Sequence, residues 1–186
     1  IRPAKCIREW KGQAWARSSK RKPRKSFVKG APHPKVRQYN MGTDKRFELE
    51  VELVPSANLQ LRDNAIEAAR QAANKFLEKS IADNFFMQVV AFPHLVIREH
   101  SALGVAGADR ISKGMKRAFG KPKGRMARVK AGHAVFRARI HKANLNVLKE
   151  ALSRAQYKLS GSYHLVIRDI SVDSKNLARS VLGRKM

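Results

Sequence analysis

The pattern of apolar and polar positions along the 186 residues changes period several times, and each change predicts an element. Phe47-Glu48-Leu49-Glu50-Val51-Glu52-Leu53-Val54 alternates apolar with acidic. A period of two sends successive side chains to opposite faces, so the segment predicts a half-covered strand with an acidic solvent face, ended by Pro55. The three glutamates read as that solvent face rather than as a metal or acid/base site, and electrostatics turns such a face away from nucleic acid. From about Asn58 to Lys79 the period becomes helical, with Ile66, Ala69, Ala73, Phe76 and Leu77 forming one apolar stripe. Strands are predicted at Phe85–Phe92 and Leu95–Glu99, divided by Pro93-His94. Arg125–Lys130 and His133–Ile140 predict a hairpin around Ala131-Gly132. A second helix is predicted near Asn144–Lys158, with Val147, Leu148, Ala151, Leu152 and Ala155 inward, Asn144 as N-cap and Gly161 as stop. Tyr163–Arg168 predicts a last strand. Strands and two helices that interleave in this way predict an α+β two-layer sandwich, a mixed sheet with two helices packed on one face.

Charge divides the chain differently. Forty Lys and Arg face fourteen Asp and Glu, a net charge of +26. Residues 1–46 carry +13, residues 47–109 carry −4, residues 110–142 carry +12 with no acid, and residues 143–186 carry +5. A nearly neutral body thus bears two intensely basic segments. Such clustering calls for a polyanion, because mixed signs would serve a surface that only meets water. Three parts are expected: a basic polyanion-binding arm over 1–46, a globular α+β domain over 47–169 with a glycine-rich basic loop at 101–124, and a basic C-terminal tail over 170–186. The arm's run Lys20-Arg21-Lys22-Pro23-Arg24-Lys25 has no helical period, and Trp10, Trp15, Phe27 and Tyr39 are interleaved with its cations as in nucleic-acid-binding segments. No stretch approaches the roughly 18 apolar residues of a spanning helix, so no membrane partner is expected. No secretory signal is visible at the first residues, and Cys6 alone builds no intrachain disulfide, which fits a reducing compartment.

The segment 101–124 is the one richest in candidate chemistry. Five glycines (104, 107, 114, 120 and 124) let its backbone approach another surface closely, and Lys113, Lys116, Arg117, Lys121 and Lys123 make it cationic. Pro122, within Gly-Lys-Pro-Lys-Gly, is expected to bar regular structure there. A phosphate-binding P-loop needs four residues between its glycines and then Lys-Ser/Thr. Here five lie between Gly114 and Gly120, and Pro122 follows Lys121. The six histidines lack metal-ligand spacing, no Gly-x-Ser-x-Gly elbow occurs, and His94 beside Pro93 reads as structural or RNA-facing. No enzyme, metal or cofactor is expected.

Gly107-Ala108-Asp109-Arg110, then Gly114-Met115 and Arg117-Ala118-Phe119-Gly120-Lys121-Pro122, resembles the universal large-subunit ribosomal protein sixteen family, in its archaeal and eukaryotic branch, called protein ten-e. Pro3-Ala4-Lys5-Cys6, Gly30-Ala31-Pro32 with Lys35-Val36, Glu67-Ala68-Ala69-Arg70, Ala127-Arg128-Val129 and Glu150-Ala151-Leu152 agree with it in order. The resemblance implies a structural constituent of the cytoplasmic large subunit, set in a cleft of its rRNA, with neighbouring ribosomal proteins and no homo-oligomer. It implies a loop reaching toward tRNA near the peptidyl-transferase centre: Gly104, Gly107, Arg110, Lys113, Gly114 and Lys116. It also implies rRNA contacts at Arg17, Lys20, Arg21, Lys22, Arg24, Lys25, Lys35, Arg37, Arg117, Lys121, Lys123 and Arg125. The chain departs from the pattern at His100-Ser101, where the family usually has Asn-Lys, and its tail beyond Asp169 has no counterpart there. The competing reading is a free DNA- or chromatin-binding module, which would share the charge but not the ordered resemblance.

Overall fold

The computed structural model describes Val28 and residues 30–99 and 120–170. Among the described residues, eight strands and two long helices follow one another as β1 (Asn40–Gly42), β2 (Leu49–Pro55), β3 (Leu59–Arg62), α1 (Asp63–Ile81), β4 (Phe85–Val89), β5 (Leu95–Glu99), β6 (Lys121–Val129), β7 (Phe136–Ile140), α2 (Leu145–Gln156) and β8 (Tyr163–Asp169). The fold is α+β, as the interleaved periods predict. The sheet is not mixed, however. Every strand pair is antiparallel, and the strands divide into a five-stranded sheet, β1-β4-β7-β2-β8, and a three-stranded sheet, β3-β6-β5.

Alternation in the large sheet sends Leu49, Val51, Leu53, Phe85, Met87, Val89, Phe136, Ala138 and Ile140 inward. They meet the stripes of α1 (Ile66, Ala69, Ala73, Leu77) and α2 (Leu148, Ala151, Leu152, Ala155) in one core. Each large side chain fully buried there contributes about 2 kcal/mol. Alanines on both stripes let the two helices approach closely, and α1 also touches β3, β4 and β6. Phe76 and Val147 pack at the core's margin rather than inside it.

Four local expectations are corrected. The first helix begins at Asp63, because Leu59 and Leu61 go inward at a period of two as strand β3. Asn144 precedes α2 as expected but makes no side-chain cap, and the helix ends at Gln156, well before Gly161. The pair Arg125–Lys130 and His133–Ile140 is not a hairpin. At Ala131-Gly132 the chain passes from one sheet to the other, held by Ala131 N–H to Asn58 Oδ1 (3.0 Å) and Val135 N–H to the Leu53 carbonyl (2.8 Å). Finally, Pro122 lies inside β6. It faces Arg98 of β5 while Gly124 faces Ile97, so Lys123 is the extra residue of a bulge. On its other side β6 has lost β3, whose pairing ends at Arg62–Met126, so no neighbour there needs the missing N–H.

The body begins before residue 47. Val36 and Met41 join the core, and β1 lies on β4 so closely that a Cβ on Gly42 (φ +77°) would overlap the Phe85 carbonyl oxygen. Residues 1–27, 29, 100–119 and 171–186 lie outside the described residues, and with them most of the arm, most of the glycine-rich segment and nearly all of the tail.

Candidate nucleic-acid interface

Two adjoining segments collect the described cations that the sequence singles out. The first runs from Pro32 to Gln38 along the N-terminal half of α1. Asp63 Oδ2 accepts the Lys35 N–H (3.0 Å), and Glu67 Oε2 accepts the Arg37 N–H (3.2 Å). Val36, between them, is buried, so the backbone is fixed while the side chains of Lys35 and Arg37 stand exposed. Glu67 is itself held by Arg70 in a two-pronged pair, Nε to Oε2 at 2.9 Å and Nη2 to Oε1 at 2.6 Å, and by Gln71 at 2.9 Å. The bond from Arg70, reinforced by the Arg37 N–H and Gln71, outweighs burial and holds the Glu67 carboxyl below its ordinary value; the same bond raises Arg70. Arg70 also reaches Gln38 Oε1 and Met41 Sδ, both at 3.4 Å. The acids of this region are therefore turned inward onto protein donors, and the outward charge is positive.

The second segment is β6, where Lys121 and Lys123 are exposed on either side of Pro122. At its start Arg98 Nη1 donates to the Gly120 carbonyl (3.0 Å), drawing together the two ends from which residues 100–119 depart. Arg125 joins the two segments: its Nε donates to the Pro32 carbonyl (2.8 Å) and its Nη1 to the His94 carbonyl (3.3 Å). Arg125 is thus partly committed to holding Pro32 beside β6, three residues before Lys35. Of the expected rRNA contacts, Lys35, Arg37, Lys121, Lys123 and Arg125 fall on this connected surface. Arg17, Lys20, Arg21, Lys22, Arg24, Lys25 and Arg117, and the loop residues Gly104, Gly107, Arg110, Lys113, Gly114 and Lys116, lie outside the described residues.

The outer face of the large sheet differs from the expected acidic one. Glu50 and Glu52 of β2 stand opposite Arg139 and Arg137 of β7. Arg137 Nε and Nη2 donate to Glu52 Oε1 at 3.0 and 2.8 Å, Arg139 Nε to Glu50 Oε2 at 3.0 Å, and Arg168 Nη2 of β8 lies 3.2 Å from Glu52 Oε2. Glu52 is only 5% exposed. The acids are covered by arginines rather than presented to solvent, and the electrostatic reason for turning this face from nucleic acid disappears. The sequence carried a signal for it: Phe136-Arg137-Ala138-Arg139-Ile140 alternates with the opposite charge to β2.

Among the described residues no group of three His, Cys, Asp or Glu is placed to hold a metal, and no helix is long and apolar enough to cross a membrane.

The sequence profile of ribosomal protein L16p/L10e matches residues 15–166. The chain belongs to that family. Its relatives include the protein named large ribosomal subunit protein uL16 in Picrophilus torridus, 43% identical over 146 residues that make up 77% of this chain and 83% of the relative. The proteins of that name in Pyrobaculum neutrophilum (39% over 173 residues, 90% of this chain and 91% of the relative) and Archaeoglobus fulgidus (39% over 155 residues, 82% and 89%) are similar along nearly their whole length. In this L16p/L10e chain the match spans both cationic segments and the glycine-rich stretch between β5 and β6.

Proposed function

We propose that this L16p/L10e chain is a structural constituent of the large ribosomal subunit, in the cytoplasm, where it binds large-subunit rRNA and lies against neighbouring ribosomal proteins. The observation that carries this reading is the family match over residues 15–166. The exposed side chains of Lys35, Arg37, Lys121 and Lys123 support it, with Asp63 and Glu67 beside the first two turned onto protein donors, since phosphate contacts need accessible cations. The chain acts by position and not by catalysis.

In the finer part of the proposal, residues 101–124 hold tRNA near the peptidyl-transferase centre through Arg110, Lys113 and Lys116. Arg17, Lys20, Arg21, Lys22, Arg24, Lys25, Arg117 and Arg125 complete the rRNA contacts. Sedimentation of cell extract through a sucrose gradient in high salt tests the first part. The chain should travel with the large subunit and polysomes, and recovery with chromosomal DNA or at the top of the gradient would refute it. For the second part, replacing Arg110, Lys113 and Lys116 together with Gln should leave incorporation into subunits largely intact while weakening tRNA binding on the order of tenfold. Normal tRNA binding by those subunits would remove the loop assignment.

A further inference from the structure

Beyond the end of β4 the chain leaves the sheet and turns back into β5 within a few residues. The N–H groups of Val90 and Ala91 both reach the Val135 carbonyl (2.9 and 3.4 Å), and the His94 N–H reaches the Phe92 carbonyl (3.0 Å) across a buried Pro93. This turn carries Phe92 to the surface, 41% exposed, beside Val90 at 43%. Two further rings flank it. Tyr39 stacks on Phe92 with centroids 5.2 Å apart and 20° between planes, and the exposed His94 lies against it at 4.4 Å and 42°. A phenylalanine that serves the core points inward, as Phe85 and Phe136 do; Phe92 does not.

The surroundings narrow what such a row can receive. The guanidinium of Arg125 is bonded to the His94 carbonyl, and the segment leading to Tyr39 exposes His33, Lys35 and Arg37. The acids within reach, Asp63 and Glu67, are buried and bonded to the backbone of that segment. Partly exposed rings, with cations on the adjoining segment and, among the described residues, with Asp63 and Glu67 turned onto protein donors, have the chemistry that recognises a splayed nucleotide: the base stacks and the flanking phosphates meet the cations. An apolar protein side chain would gain from the rings but not from the rim.

We infer that Tyr39, Phe92 and His94 form a stacking platform for an unpaired rRNA base, which extends the row over the exposed surface of Phe92 and His94. The inference rests on the proposed place of the chain on large-subunit rRNA, and it adds a recognition site that the basic segments alone do not imply. The test uses assembled large subunits carrying the natural chain, Phe92→Leu or Phe92→Tyr. Leucine keeps apolar bulk so that the turn still folds, and tyrosine keeps the ring. Ultraviolet cross-linking of natural subunits should join one nucleotide to the peptide containing residues 92–94. The yield should fall on the order of tenfold in the leucine variant and be retained with tyrosine. The same nucleotide should become reactive to base-modifying probes only in the leucine variant. Cross-links that arise elsewhere on the chain but never at 92–94, with unchanged rRNA reactivity in the leucine variant, would overturn the platform and leave the rRNA-binding reading intact. A cross-link from 92–94 to another protein would overturn it equally. A chain that fails to sediment with the large subunit would instead overturn the reading beneath it.

Discussion

Glu67 shows how much one side chain does for the surface it never reaches. Its two oxygens receive Arg70, Gln71 and the N–H of Arg37, so the cation at position 37 is aimed outward by a carboxylate turned inward. Sequence patterning places Glu67 on the polar flank of a helix, next to the stripe of Ile66 and Ala69. It gives no sign that the flank is covered by residues 35–41, because the covering segment lies some thirty positions away and follows no period of its own. Glu67→Gln should destabilise the chain by about 2 kcal/mol at neutral pH, since the charged half of a largely buried pair is lost and Arg70 is left without its counter-ion. The folded carboxyl lies below its ordinary value of 4.5, so its stabilising contribution is present above that value. It is lost as pH falls through the depressed folded value. Denaturant unfolding of the two proteins should therefore differ at pH 7, the difference should begin to shrink below about pH 4.5, and it should vanish only below the depressed folded value. A difference that persists unchanged into strong acid would mean that the pair does not supply the stability.

At the scale of elements, the periods were readable and the partners were not. The alternation of Leu49, Val51 and Leu53 marks β2 and its inner face, and the stripes of both helices are plain in the sequence. Which strand lies beside which is decided elsewhere. The runs on either side of Ala131-Gly132 look like hairpin arms until Asn58 and Leu53 capture the turn and send them to different sheets. Pro122 looks like a breaker until the neighbour it would disturb is seen to have ended. The glutamates of β2 look solvent-facing because their arginine partners are some 85 to 89 positions away. That cross-strand lattice has an ordered energetic consequence. Arg168 is 61% exposed and its pairing with Glu52 competes with water, so Arg168→Ala should cost less than about 1 kcal/mol. Arg137 supplies two hydrogen bonds to the same buried carboxylate, and Arg137→Ala should cost about 2 kcal/mol by leaving Glu52 under-satisfied. Thermal unfolding of both variants checks the order; equal losses would show that Glu52 is hydrated in the folded protein.

For the whole molecule, composition announced a polyanion but could not say which cations were available to it. Counting basic residues treats Arg70, Arg125 and Arg137 as equal to Lys35 or Lys121. In the folded chain the first three are bonded to protein oxygens, and Lys35, Arg37, Lys121 and Lys123 project from fixed backbone with exposed side chains. The two groups should separate when the salt dependence of rRNA binding is measured. Each phosphate contact releases counterions, and the slope of log affinity against log salt falls by about 0.7 to 0.9 for every contact removed. Replacing Lys35, Arg37, Lys121 and Lys123 together with Gln should therefore flatten the slope by about 3, with little change in the unfolding midpoint because none of the four side chains holds the fold together. Arg125→Gln should behave differently: it releases Pro32 and His94, so stability and affinity fall together while the slope changes by at most about 1. If the fourfold variant keeps the full slope, the phosphates are met by cations outside this surface, and Lys35, Arg37, Lys121 and Lys123 serve only solubility.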